Sequence, residues 1–430
     1  MATPALMQSM ITALENRRNN SVLRCLHETP ANSLDFSSND FLSLSTSSLL
    51  RRNYLSALAN TAPSDFRVGS GGSRLLDGNH PFANQLESKI AQFHGAKSAL
   101  LFNSGFGANM GFFACIPQKG DIVLHDAFIH ASVCEGLKLS RAGRVCSFSH
   151  NSISDLKNKI SDLIKYEPGL LNGTKNIFVA VEALYSMDGD LAPLREIVEL
   201  MEQSFTKGNV YLVVDEAHSN GLYGEMGSGL VCKLGLENKV FARLHTFGKA
   251  LACNGAALLC DSLVREYLIN YAKPLIYTTS MSFPSLVAIN TVYTLMKQGA
   301  TQLLISHLKD LISHFFNQLI TLFPLTTNAH TKKPILILPL EAPQSPIFSL
   351  ITSEPRSLAA HCYAAGFIVR PIMPPTVPKG TQRVRICLHA GNTFKEIDNL
   401  VQCVTIWLQK ERMKKSTVST CEHHLAKAIL

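Results

Sequence analysis

No apolar run in the chain approaches the ~18 residues that a membrane-spanning helix requires, and the first residues lack the basic-then-apolar order of a secretory signal. A soluble intracellular protein is expected, cytoplasmic by default, with mitochondrion and peroxisome left open. The terminal Ala428-Ile429-Leu430 does not resemble the Ser-Lys-Leu peroxisomal address. Cysteine is plentiful at eleven, but the odd total and the absence of any C-x-x-C pair point to free thiols in a reducing compartment and away from zinc. Fifteen histidines include no H-E-x-x-H, and His423-His424 falls in a polar tail, so no metal is expected. Basic residues, at a formal net charge of +8, are spread along the chain and not gathered with aromatic residues, which argues against a nucleic-acid partner. Such a charge suits a polyanionic substrate, and equally well serves solubility alone.

What is present is an ordinary globular composition. With 430 residues, 46% of them apolar, the chain can bury a large core in two or three structural domains. Between about residues 60 and 283, short apolar runs (98–102, 121–124, 177–181, 211–214, 256–259) alternate with longer helical patterns. That rhythm predicts an α/β fold with a mostly parallel sheet covered by helices. After Pro284 a long helical stretch leads to strands expected around 334–340, 367–371 and 383–388. A closing helix is announced by the capping pair Thr393 and Glu396, with Ile397, Leu400, Val401, Val404, Trp407 and Leu408 on one face. The predicted division is a segment 1–50 joining the small domain, a large ligand-binding domain 51–283, a small α/β domain 284–412, and a mobile polar tail 413–430. Leu6, Met10 and Leu14, followed by Arg17 and Arg18, form a weak amphipathic helix, read as a surface helix in preference to a transit peptide because Glu15 and the short length fit it better.

Two residues suggest chemistry. Asp215 closes the apolar run Tyr211-Leu212-Val213-Val214, which puts a carboxylate at the carboxyl edge of a sheet, where open α/β folds bind ligands. Lys249 follows in Thr246-Phe247-Gly248-Lys249. A carboxylate that keeps a pyridinium nitrogen protonated, with a lysine able to form a Schiff base, is the pattern of a pyridoxal phosphate site. Neither residue proves it alone, since strand-ending aspartates are commonly turn formers and most lysines are solvated. Asn103-Ser104-Gly105-Phe106-Gly107 follows a strand and opens a helix whose free N–H groups suit a phosphate. Gly69-Ser70-Gly71-Gly72-Ser73-Arg74 is no dinucleotide fingerprint, because it follows no clear strand and Arg74 stands where a third glycine is required. His130 is a candidate for stacking on the pyridine ring or, equally, an ordinary satisfied histidine.

Taken in order, these residues resemble the α-oxoamine synthases, fold-type I pyridoxal phosphate enzymes that condense an amino acid with an acyl-CoA and release carbon dioxide. The likeness runs from about Leu14 to Trp407. It is carried by Asp35-Phe36-Ser37-Ser38-Asn39-Asp40-Phe41-Leu42, Gly69 to Leu75, Ser104-Gly105-Phe106, His130-Ala131-Ser132, Ser186-Met187-Asp188-Gly189-Asp190, Asp215-Glu216-Ala217-His218, Thr246 to Lys249, Leu275 to Ser280 and Pro374-Pro375-Thr376-Val377-Pro378. The resemblance implies that Lys249 forms the Schiff base and moves the Cα proton, Asp215 pairs with the ring nitrogen, His130 stacks on the ring and His218 bonds its phenolic oxygen. It further implies that Gly105, Phe106 and Thr246 hold the phosphate, that Ser186 lies close to the cofactor, and that Thr279 reaches in from the second subunit of a homodimer.

Arg385 matches the position that grips the amino-acid carboxylate, and Arg24 an N-terminal arginine near the acyl-chain end of the site. The likeness is strongest to the branch of the family that serves biotin synthesis, so L-alanine and pimeloyl-CoA are the favoured substrates. One departure bears on this: Met373 stands where bacterial members of that branch tend to have arginine before Pro-Pro-Thr-Val-Pro, and Arg370 is the nearest possible substitute. Glycine or serine as amino acid, a carrier-bound acyl group, a catalytically inactive partner subunit and a plain aminotransferase stay open as alternatives at this point.

Overall fold

The computed structural model describes residues 4–414, apart from 21, 27, 29 and 31. Residues 415–430, which include most of the expected polar tail and the His423-His424 pair, lie outside the described residues. Two compact units are present, Met1–Leu34 and a second from Asp35 onward. In the first, the helix Ala5–Asn19 carries Arg17 and Arg18 in its last turn, where cations complement the exposed carbonyls, and none of its residues is buried.

Twelve strands occur among the described residues: β1 Leu34–Asp35, β2 Ser98–Phe102, β3 Ile122–Asp126, β4 Arg144–Phe148, β5 Ile177–Glu182, β6 Val210–Asp215, β7 Ala242–Thr246, β8 Ala256–Cys260, β9 Ile347–Ile351, β10 Phe367–Ile368, β11 Arg370–Ile372 and β12 Arg383–Cys387. Seven of them make one sheet in the order β2-β8-β7-β6-β5-β3-β4. Every pair from β7 to β4 is parallel, and β8 alone runs against its neighbours β2 and β7. Strands β5, β7 and β8 are buried at every position, as expected where helices cover both faces of a sheet. The mostly parallel α/β sheet anticipated from the alternating runs is therefore the architecture found. Because β3, β5, β6 and β7 run the same way, Asp126, Glu182, Asp215 and Thr246, the last residue of each, share one edge. The helix Gly105–Cys115 lies against this sheet, burying Phe112 and Phe113 among Leu100, Val123, Phe178, Val213, Leu244 and Leu258.

A second sheet is antiparallel, in the order β11-β12-β9. Arg385 on β12 stands opposite Arg370 on β11 and Ser349 on β9. The segment 36–43 is bonded to this part of the chain: the Phe36 N–H donates to Ile368 O at 3.0 Å, Cys387 N–H to Phe36 O at 2.8 Å and Ala390 N–H to Phe41 O at 2.8 Å. The strand expected at 334–340 is not there. Only isolated bridges form, Thr327 with Pro334 and Ile337 with Ile351, because Pro334 and Pro339 lack the N–H that a ladder needs. On its other side from β11, β12 pairs with β9. The closing helix Phe394–Met413 begins with the anticipated capping box and buries Ile397, Leu400, Val401, Val404, Trp407 and Leu408.

Behind the strand edge lies a pair of buried histidines, His94 and His245, with ring centroids 4.1 Å apart. His94 Nδ1 donates to Ser228 O and Nε2 bonds the Tyr293 hydroxyl, each at 2.8 Å, contacts that a neutral ring satisfies with Nε2 accepting. Burial pushes its pKa down to about 3 and holds that of His245 well below the imidazole range. The unfolded chain takes up protons below pH ~6.5 that these folded rings refuse, so stability is full above that pH and declines as pH falls from there toward 3. Melting curves between pH 8 and pH 5 should show this decline. His245→Phe, which removes one titration and no hydrogen bond, should flatten it; an equal slope in wild type and variant would contradict the account.

Candidate active site

The first turn of the helix Gly105–Cys115 abuts the end of β7. A Cβ on Gly105 would come within 2.4 Å of Thr246 Cγ2, so only glycine admits this approach. Ser104 caps the helix by accepting from Gly107 N–H at 3.0 Å, which leaves the amides of Gly105 and Phe106 as first-turn donors without intrahelical acceptors. Thr246 is buried, its hydroxyl donating to Ala217 O at 3.3 Å.

One turn along the same helix, Asn109 is buried and donates to Asp215 Oδ2 at 2.7 Å and to Ser132 Oγ at 3.0 Å. Ala217 N–H donates to Asp215 Oδ1 at 2.9 Å. The Asp215 carboxylate is thus held from both sides on the end of β6. Ser132 in turn donates its hydroxyl to His130 Nδ1 at 2.7 Å, and His130 caps the helix Ala131–Lys138 with the edge of its ring facing Phe106.

Lys249, in the turn after β7, is drawn below the ordinary lysine range by burial and then by the positive field of Arg385, against the opposing pull of Asp215 and Glu182. His218 is held well below the imidazole range by burial and by the charges of Lys249 and Arg385. Burial and Lys249 also lower His130, against Asp215. These mutual fields place Lys249, Asp215, His130, His218 and Arg385 within reach of one another's charge. Two buried nitrogens of that group, His218 Nδ1 and Arg385 Nε, have no partner among the described residues, and the Arg385 Nη2 donates to Asn39 Oδ1 at 2.8 Å. The unpartnered nitrogens, the close glycine approach and the depressed amine fit a bound polar, anionic ligand.

Of the other expected site residues, Ser186 is half-buried in the turn after β5. Thr279 is exposed, its carbonyl accepting from Asn103 Nδ2 at 2.6 Å. Arg24 is exposed within the separate unit Met1–Leu34. Three residues escaped the sequence reading. Asn109 and Ser132 carried no separate signal. Glu182 did: Ile-Phe-Val-Ala-Val-Glu ends in an acid just as Val-Tyr-Leu-Val-Val-Asp does, and the two strands pair Glu182 with Asp215 in register. Burial, with the neighbouring Asp215 charge, raises the Glu182 carboxyl well above the usual range.

The model of the aminotransferase class I and II family matches residues 31–404. Among curated relatives, an 8-amino-7-oxononanoate synthase of Emericella nidulans is 49% identical over 96% of this chain and 98% of its own length. The chain belongs to the α-oxoamine synthases. A further relative, the aminoacyl transferase sphA of Aspergillus fumigatus, is 39% identical over 93% of the chain and 86% of its own length. Of solved structures, a serine palmitoyltransferase of Sphingomonas wittichii superposes with a TM-score of 0.79, at 23% identity, covering 96% of this chain and 99% of that one. The 8-amino-7-oxononanoate synthase of Francisella tularensis gives 0.64 at 23% identity, covering 89% and 99%; likeness at this identity speaks for the fold. As an α-oxoamine synthase the chain is a pyridoxal phosphate-dependent acyltransferase acting on an amino acid and an acyl thioester. No described helix is long and apolar enough to cross a membrane.

Proposed function

We propose that this α-oxoamine synthase joins L-alanine to pimeloyl-CoA, giving 8-amino-7-oxononanoate, coenzyme A and carbon dioxide in biotin synthesis. The observation that carries this reading is the 49% identity, over nearly both full lengths, with the Emericella nidulans enzyme of that name. When bound, pyridoxal phosphate supplies an electron sink for the negative charge that develops at the amino-acid Cα. The Gly105 and Phe106 amides and the Thr246 hydroxyl would hold its phosphate, His130 would cover its ring, His218 would bond its phenolic oxygen, and Ser186 would lie close to it. Asp215 would keep the proton on the ring nitrogen. Lys249, whose depressed basicity leaves more of it as the nucleophilic free amine, would hold the cofactor covalently and would move the Cα proton. Arg385 grips the alanine carboxylate with its unpartnered Nε.

A homodimer completes this reading, with Thr279 entering the partner's site. Val68, Leu76 and Tyr277, 76%, 77% and 79% exposed, are large apolar side chains on segments that a second subunit would cover.

Coenzyme A release measured with alanine, glycine and serine, each crossed against pimeloyl-, acetyl- and palmitoyl-CoA, tests the assignment; release confined to alanine with pimeloyl-CoA is expected. The 39% identity with an aminoacyl transferase favours the second reading, an α-oxoamine synthase of another pathway, which release with a different pair would support. Met373 offers no charge to a pimeloyl carboxylate, but Arg370 is exposed, stands opposite Arg385, and donates from Nε to Ser37 Oγ at 3.1 Å. Arg370→Ala is expected to raise the KM for pimeloyl-CoA about tenfold, the size of one lost charge-assisted contact, with the KM for alanine little changed. An unaltered KM for pimeloyl-CoA would remove Arg370 from the acyl site.

A further inference from the structure

His150, at the carboxyl edge beyond β4, binds two carboxylates at once. Its Nδ1 lies 2.9 Å from Asp126 Oδ1 and its Nε2 lies 2.8 Å from Asp190 Oδ2. A neutral imidazole has one N–H and can donate to only one of them; its other nitrogen would confront a carboxylate lone pair. Donation to both requires the imidazolium. Phe128 stacks on the ring at 4.4 Å and 23°, and Tyr185 meets it edge-on at 4.5 Å. The next residue, Asn151, takes a left-handed backbone (φ 51) that no glycine eases. In that conformation its amide donates to Asp126 Oδ2 at 2.8 Å and its side chain to Asp190 Oδ2 at 2.6 Å.

The two carboxylates belong to different loops of the site. Asp126, fully buried at the end of β3, accepts from Phe128 N–H at 2.7 Å and so shapes the three residues that lead to His130. Asp190 closes the turn that contains Ser186. That turn is fastened on its far side by Asp188, paired with Arg383 on β12, and by Ser345 Oγ, which donates to Gly189 O at 2.6 Å. We propose that His150, as an imidazolium bridging Asp126 and Asp190, is a positioning residue that fixes the loop carrying His130 against the turn carrying Ser186. The functional consequence rests on the reading of those two residues as cofactor contacts.

Burial draws the His150 pKa down, but its hydrogen bonds to and charge attraction by Asp126 and Asp190 push it up to about 10. The titratable groups that face it are these two carboxylates and the Tyr185 phenol, with Glu182 adding its field to Asp126 from the neighbouring strand. Its contribution is of opposite sign to that of His94 and His245: fully present below pH ~6.5, it is lost as pH rises toward 10.

The test uses the full chain and two variants, His150→Ala and Asp190→Asn, the second cutting only one leg of the bridge. Equilibrium binding of pyridoxal phosphate is expected to weaken about tenfold in each, as for loss of a group that orients a direct contact, with melting temperatures within ~5 °C of wild type. Full affinity in either variant overturns the proposal. A histidine-labelled sample, assigned by the signal missing from His150→Ala, should keep the His150 resonance in its imidazolium form at pH 8.5. Titration of that resonance near 6.5 overturns the proposal as well. A wild-type chain that takes up no cofactor would sink the proposed function instead, and the bridge itself would then be decided by the histidine titration.

Discussion

Replacing Lys249 by alanine is expected to lower turnover by roughly four orders of magnitude or more while pyridoxal phosphate still binds, because one side chain serves as both the covalent anchor and the proton carrier. Two readouts separate these roles from misfolding. Borohydride treatment should trap the cofactor covalently on wild-type chain and not on the variant, as seen by intact mass, and the melting temperature should stay close to wild type. The physical basis is the environment of the amine: burial and Arg385 depress it, and Asp215 and Glu182 only partly restore it. Cofactor attachment by the wild type should accordingly quicken as pH rises, since the free amine is the reactive form. Turnover within tenfold of wild type in the alanine variant would refute the assignment of Lys249.

Asp215→Asn is expected to cost about three orders of magnitude in kcat, as for removal of a preorganised group that meets charge developing in the transition state. The variant loses the charge, and its NH2 must also face one of the two donors that now bond the carboxylate, Asn109 Nδ2 or the Ala217 N–H, so one of these bonds is lost whichever way the amide turns. Removing the Asp215 charge also relieves part of what raises the Glu182 carboxyl, so Glu182 should ionise at lower pH in the variant. The measurement is kcat and KM for alanine with coenzyme A release as the signal. A kcat within tenfold of wild type would show that Asp215 does not control the ring nitrogen.

Local chemistry alone made several features legible. An apolar run closed by an acid marked β6, Thr393 and Glu396 marked the start of the last helix, and a glycine after a strand marked the helix that reaches Thr246. Each depends on residues a few positions apart, so backbone propensity and side-chain period suffice to announce it. The strand at 334–340 failed on the same local ground, since two prolines there remove ladder donors that the apolar pattern cannot supply.

The sequence by itself determined the fold class and the order in which Lys249, Asp215, His130, His218 and Arg385 occur, and through them the family. Only the tertiary structure decided which neighbours hold these groups. Asn109 reaches Asp215 because a helix packs against the end of a strand far along the chain, and Glu182 lies beside Asp215 because β5 and β6 pair in register. Arg370 faces Arg385 through an antiparallel ladder, and His150 meets Asp126 and Asp190 where three segments converge. Hydrogen bonds and charge fields act over a few ångströms in space, and burial, which sets their strength, exists only once distant segments have packed together.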